Sequence, residues 1–239
     1  DDIVLMPSQQ IAAALNITEE VADNVVAAHD SALRLAEELE SQEVEIIWLN
    51  DSRYPERLKS VLTEDAPPVL FLRGNASLIQ QPAVGFCGSR KASNMGLSVT
   101  RQAARILAQE HICVVSGYAN GVDMAAHRAA MAAGGATVFV LVTGILRFRT
   151  NKDIEEVLNA DNHLFVSQFP PKLPWIARNA MKRNQAIIGL SDAMILVESG
   201  CTGGTFAAGS ESLKRQHPLF VIDFAQPGPS AEANPHFIE

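Results

Sequence analysis

Four residues with chemistry to offer close the apolar run AVGFC: Gly88, Ser89, Arg90 and Lys91, at the head of the stretch GSRKASNMG. A glycine there lets a ligand come close to the backbone. A serine hydroxyl and the amides after it can hold an anionic oxygen, and an arginine can grip a phosphate through two parallel N–H donors. The helical pattern that begins near Ser93 turns the positive end of its dipole toward the same place. The spacing is not the dinucleotide-binding G-x-G-x-x-G, and the phosphate loop G-x-x-x-x-G-K-[ST] occurs nowhere in the chain.

Three further stretches carry candidate groups. In SGYANGVDMAAH, residues 116–127, Gly117, Asn120 and Gly121 suit a tight phosphate-facing loop that runs into a helix. Asp123 falls in that helix's first turn and His127 one turn later on the same face. Both are read as structural, Asp123 capping the helix and His127 buried and satisfied. Without a nucleophile and a third partner they make no catalytic triad. In ARNAMKRNQAIIGLS, residues 177–191, Arg178, Lys182 and Arg183 crowd one predicted helix, with Lys172 just upstream and Asn184 beside them. Arg178 and Lys182 share a face, and Ile187, Ile188 and Leu190 make the buried side. Like charges one turn apart repel, which favours an anionic partner. In ESGCTGGTFAAGSES, residues 198–212, Gly200, Gly203 and Gly204 open a helix at which Thr202 and Thr205 can donate to a phosphate.

These stretches need a scaffold that brings them to one edge. From residue 82 onward, apolar runs of four to six (AVGFC, ICVVS, TVFVLV, HLFVS, AMILVE, LFVID) alternate with helical patterns near 93–110, 121–133, 151–159, 174–190 and 203–215. Continuous apolar strands are buried on both faces, and strand–helix alternation builds a parallel sheet. The fold class is therefore α/β, a doubly wound, mostly parallel Rossmann-like sheet with a small N-terminal helical module. Ligands in such sheets sit beyond the carboxyl ends of the strands, where all four stretches fall. Three segments are expected: a helical module over 1–45, the sheet domain over 46–225, and a turn-rich tail over 226–239. Within the second, residues 51–80 serve as an entry segment.

The chain has 239 residues and a net charge of −8, which argues against a generally basic nucleic-acid-binding surface. The acid is uneven. EELESQEVE alone supplies five glutamates, whereas residues 89–105 carry Arg90, Lys91, Arg101 and Arg105 and no acid. A basic pocket on an acidic body fits these counts. The cysteines Cys87, Cys113 and Cys201 form no metal-ligand pattern and are read as small buried residues of a cytoplasmic protein. No apolar run reaches the roughly 18 residues that span a bilayer. The opening DDIVLMPSQQ has no basic stretch leading into an apolar one, so no signal peptide is expected. Neither metal nor cofactor is expected.

Taken in order, GSRKASNMG, SGYANGVDMAAHRAAMAAGGATVFVL, SQFPPKLP and RNQAIIGLSDAMILVES resemble the DNA-processing protein A (DprA/Smf) family, with matching order and spacing from about residue 45 to 222. DSRYPERLKSVLTEDAPPVLFLRGN resembles the family's entry segment, and residues 8–42 its N-terminal, SAM-like helical module. The resemblance implies an extended Rossmann fold that binds single-stranded DNA without catalysis, protects it, and loads RecA recombinase during natural transformation, commonly as a homodimer. By position, Arg90 matches the family's DNA-contacting arginine, and Arg183 and Asn184 open its RNR motif. Gly117, Gly121, Asp123 and His127 match its SGxAxGID…AH signature. Gln185 stands in the motif's third position, Gln168 follows Ser167 where the family has SE, and TGGT replaces SGSL. The expectation is a divergent member without a C-terminal winged-helix domain.

Three readings of different class stay open on the residues. One is a sequence-independent groove for single-stranded DNA phosphates, with Phe148, Phe169, Trp175 and Phe206 as stacking candidates. Another is a nucleotide sensor or phosphoribohydrolase-like enzyme on a related fold, for which CTGGTFAAGSE supplies paired glycines, a threonine and Glu211. A third is a scaffold with a vestigial pocket.

Overall fold

The computed structural model describes residues 6–238. Residues 1–5 and Glu239, which bear on the signal-peptide expectation and on the end of the tail, lie outside the described residues. The chain divides into two units, Asp1–Val44 and Glu45–Glu239.

The first unit is a helical hairpin, α1 (Ser8–Leu15) and α2 (Glu19–Ser41). Asn16 ends α1 in the left-handed region at φ 53°, a conformation that asparagine tolerates better than most residues. Thr18 caps α2, its hydroxyl accepting from Val21 N–H, and Glu19 and Glu20 sit against the positive end of the helix dipole. Ile11, Ala12 and Ala22 form the small apolar seam.

The second unit is built on an eight-stranded sheet. Its strands are β1 (Val44–Trp48), β2 (Val69–Gly74), β3 (Ala83–Cys87), β4 (Cys113–Ser116), β5 (Thr137–Val140), β6 (His163–Ser167), β7 (Ala193–Leu196) and β8 (Leu219–Val221), in the order β1-β2-β6-β5-β4-β3-β7-β8. From β6 through β8 every neighbouring pair is parallel, and β2 runs antiparallel to β6. The helices are α3 (Glu56–Leu62), α4 (Asn94–Gln109), α5 (Val122–Ala132), α6 (Lys152–Glu155), α7 (Asn179–Gly189) and α8 (Gly204–Lys214). Alternate strand residues supply two apolar layers. Phe86 and Val114 meet α4 and α5 through Ala104, Ala108, Ala126 and Ala130. Cys113 and Val115 belong to the larger layer with Leu58, Leu62, Ile187 and Ala208 from α3, α7 and α8. β4 and β5 are buried at all four of their positions, as continuous apolar runs require.

Two helices are shorter than their patterns suggest. The segment expected to be helical from 174 is extended and turned until Asn179. Helix α6 stops at Glu155. Past it, Asn159 Oδ1 accepts from the N–H groups of Asp161 and Asn162, a side-chain turn that outcompetes helical pairing. Residues 229–231 and 234–237 form 3-10 turns, and Phe237 packs on Phe206 in the core of the second unit.

One feature of the topology positions a site. β4, β5 and β6 are laid down successively on one side of β3, and β7 and β8 on the other. The order reverses at β3, where Cys87 pairs in register with Leu196 and Val197 N–H donates to Cys87 O. The loops that begin at Gly88 and Glu198 therefore leave the sheet side by side and splay apart, opening a crevice.

Candidate functional site

The crevice is a cleft of about 430 Å³ walled by the loops after β3 and β7, the start of α5 and one side of α7. Gly88 and Ser89 form its floor on the β3 side. A Cβ at Gly88 would press within 2.4 Å of Val122, so only glycine lets the loop lie on α5. Ser89 Oγ accepts from Lys91 N–H, and Ser89 O accepts from Val122 N–H, which ties the loop at both ends. Arg90 and Lys91 line the cleft, exposed and without an ion-pair partner among the described residues. Gly121, at φ +83°, meets the carbonyls of Ser89 and Arg90 where a Cβ would clash.

The wall from β7 carries Thr202, Gly204 and Thr205 into the cleft; Gly203 lies between them at φ +96° with open space around it. Besides the start of α5, the N-termini of α4 and α8 approach this point, and they differ. In α4, Ser93 Oγ takes Gly96 N–H, while the buried Glu198 carboxylate accepts from both the amide and the hydroxyl of Ser93. That end is already neutralised, contrary to the expectation that it would add its dipole to a ligand. In α8, the cap residue is Gly203 and the first turn holds neither a side-chain cap nor an acid. Its free N–H groups are the helix-end anion site that remains. Sequence reasoning missed Glu198; its signal is a carboxylate directly after the buried run AMILV.

The α7 side departs most from expectation. Arg178 is the residue before the helix, not a member of it, and Lys182 is exposed on α7 outside the cleft lining. Arg183 does line the cleft, but it is 8 % exposed and its Nη1 donates to Asp123 Oδ2 at 3.5 Å. Its guanidinium fills the space beside Gly117: a Cβ there would fall 1.1 Å from Nη1. Gly117 is thus behind the cleft rather than in it. Arg183 Nε is buried with no acceptor. Asn184 lines the cleft and donates to Gly204 O, linking α7 to the first turn of α8.

Asp123 does not cap α5; Gly121 is the cap residue and no side-chain cap bond forms. The carboxylate instead accepts from Ala119 N–H and from Arg183, bracing the loop after β4 against α7. His127 is fully buried, with Nε2–H donating to Gly117 O at 2.7 Å and Nδ1 facing the Thr137 hydroxyl. Burial, with the Arg183 charge adding to it, holds its pKa down at about 3, so the ring is neutral. Of the cysteines, Cys87 and Cys113 are buried, their thiols pushed up to about 12 by burial, whereas Cys201 is exposed on the loop after β7, contrary to expectation.

A second hollow of about 500 Å³ adjoins the first through Arg90, Lys91 and Arg183, and holds Asn120, Tyr118 and Trp175. Of the four aromatics named for stacking, Phe148 and Phe169 are buried and Phe206 stacks on His236; Trp175, 58 % exposed, is the one open to a flat partner. The tail also reaches the site. Asn234 Oδ1 accepts from Ser199 N–H, and its Nδ2 donates to Val197 O and Ile222 O, pinning the end of β7, while Ser230 lines the cleft. Among the described residues no group of His, Cys, Asp and Glu is placed to hold a metal ion, and no helix is long and apolar enough to cross a membrane.

An open, mostly parallel sheet with a cationic crevice at the reversal of its strand order defines a Rossmann-like binding domain. The chain belongs to the DNA recombination-mediator protein A family, whose sequence model matches residues 45–239. The DNA processing protein DprA of Streptococcus pneumoniae is 32% identical over 174 residues, 72% of this chain and 60% of that protein. Protein Smf of Escherichia coli K12 is 28% identical over 202 residues, 84% of this chain and 53% of that one. Among solved structures, DprA from S. pneumoniae superposes with a TM-score of 0.80 at 25% identity, over 100% of this chain and 87% of that one. DNA processing protein A from Helicobacter pylori superposes with a TM-score of 0.67 at 25% identity, over 80% and 88%. The chain spans between about half and three-fifths of the length of the curated relatives it matches.

Proposed function

We propose that this chain binds single-stranded DNA, without preference for base sequence, in the crevice between β3 and β7. The observation that carries the reading is the pair Arg90 and Lys91, exposed at the reversal of strand order and unpaired among the described residues. The uncapped start of α8 with Thr202 and Thr205 supplies neutral donors opposite them. Trp175 beside the cations offers a face for a base, and cations with an aromatic platform suit a strand whose bases are unpaired. The H. pylori relative, which has a single-stranded DNA binding mode, supports the same reading.

The role is binding, with no reaction catalysed and no cofactor: Asp123 and His127 are engaged in bracing, and Glu198 holds Ser93. In the cell it would protect incoming strands in the cytoplasm and deliver them to RecA. A homodimer would form through the edge strand β8, where Phe220 is 63 % exposed. Parallel titrations of single-stranded oligonucleotides, duplexes and free nucleotides at two salt concentrations test the binding. The reading expects single strands of different sequence to bind alike and more tightly than free nucleotides. Tighter binding of a mononucleotide would replace it with the nucleotide-sensor reading.

A further inference from the structure

A groove of about 560 Å³ runs between α4 and α5, on the face of the sheet away from α7 and α8. Alanines of α5, among them Ala125 and Ala129, keep its floor low, and Arg101 and Arg105 of α4 form its wall. They stand one helical turn apart, both exposed, and neither makes an ion pair or side-chain hydrogen bond among the described residues. Two like charges at that spacing repel each other, and on a chain of net charge −8 no acid has been recruited to relieve them. Arg128, on the α5 side, is bonded to Asp153 and is left out of the count.

The groove reaches the loop that borders the crevice. Gly121 lines its upper end, and the same glycine packs on the carbonyls of Ser89 and Arg90, the loop that carries cations into the cleft. From Asn94 to Arg105 the helix rises about 16 Å. A strand stacked at about 3.4 Å per nucleotide covers that distance in about five nucleotides.

We infer that single-stranded DNA leaving the crevice past Arg90 continues along the α4–α5 groove, where Arg101 and Arg105 neutralise two further phosphates. This inference rests on the proposed function, and it adds a second segment to the binding path.

The test is a length series of oligothymidylates, from about 4 to about 16 nucleotides, titrated against the full chain and its Arg101→Gln/Arg105→Gln and Arg101→Lys/Arg105→Lys variants. For the parent, affinity should go on rising with length beyond the shortest strands. The glutamine variant should match the parent on the shortest and lose that rise on the longest, where its salt slope falls by about 1.4, two phosphates at about 0.7 each. The lysine variant should keep most of the rise, since the charge is kept. Parent-like affinity and slope in the glutamine variant on the longest strand, or an equal loss at every length, would overturn the groove and leave the crevice reading standing; in the first case the arginines serve some other anion, such as an acidic protein segment. A parent that binds no strand of any length would overturn the crevice reading and the groove with it.

Discussion

The loops that leave β3 and β4 start on adjacent strands and end in opposite chemistry. After β3, Ser89 ties down the backbone and Arg90 and Lys91 are left in solvent with no partner among the described residues. After β4, the ionisable groups Asp123 and His127 turn inward: Asp123 accepts from Ala119 and Arg183, and His127 bonds Gly117 and faces Thr137. The arginine that a basic motif would assign to a ligand is wedged beside Gly117 to make this second arrangement possible. A cation can serve a ligand fully only where the fold has not already given it a carboxylate. Buried with one, it serves mainly to fix the distance between two elements.

Breaking the braced side should cost the most stability. Asp123→Ala leaves the Arg183 guanidinium buried and unpaired, and unfolding in denaturant should show a loss of about 3 kcal/mol. A loss below about 1 kcal/mol would mean that Arg183 swings out to solvent, which would erase the difference between the two loops. Next is the strap from the tail. Asn234→Ala orphans the buried amide of Ser199 and two carbonyls and should cost about 2 kcal/mol. An unchanged thermal midpoint would show that the end of β7 holds without the tail.

His127 sharpens the comparison through pH. Its pKa is about 3 in the folded chain, held down by burial, against about 6.5 when unfolded. Between those values the unfolded state binds the extra proton, so stability is full above about pH 6.5 and falls as pH drops toward 3. The slope from this one group is at most about 1.4 kcal/mol per pH unit. Denaturant midpoints from pH 7 to pH 4 check it: a flat profile would mean that the ring stays solvated and the bracing is loose. On the β3 side the expected stability effect is smallest. Arg90→Ala with Lys91→Ala removes exposed, unpaired side chains and should move stability by no more than about 0.5 kcal/mol.

The middle of the sheet was legible because β4 and β5 are buried at every position and read as unbroken apolar runs between helical patterns. The position of the crevice followed from that alternation. Which cations face it did not, because Arg90 and Arg183 are alike as letters and differ only in whether the chain folds a carboxylate next to them. Asp123, read as a helix cap, proved to be that carboxylate, sixty residues from its partner. The same limit applies to Glu198 and Asn234. Each acts across more than thirty residues on backbone groups that local spacing does not reveal. The tail's proline- and glycine-rich composition suggested turns and turns formed, but a buried asparagine and Phe237 make them part of the domain.

The central claim is that the open cations after β3 meet the phosphates of single-stranded DNA, and the salt dependence of binding tests it most directly. With one unstructured oligonucleotide, log affinity against log salt should be linear for the parent. Arg90→Ala/Lys91→Ala should bind more weakly and flatten the slope by about 1.4, two phosphate contacts at about 0.7 each, to the same degree on any base sequence. A variant with the parent's affinity and slope would contradict the account and show that the crevice between β3 and β7 is not where the strand lies.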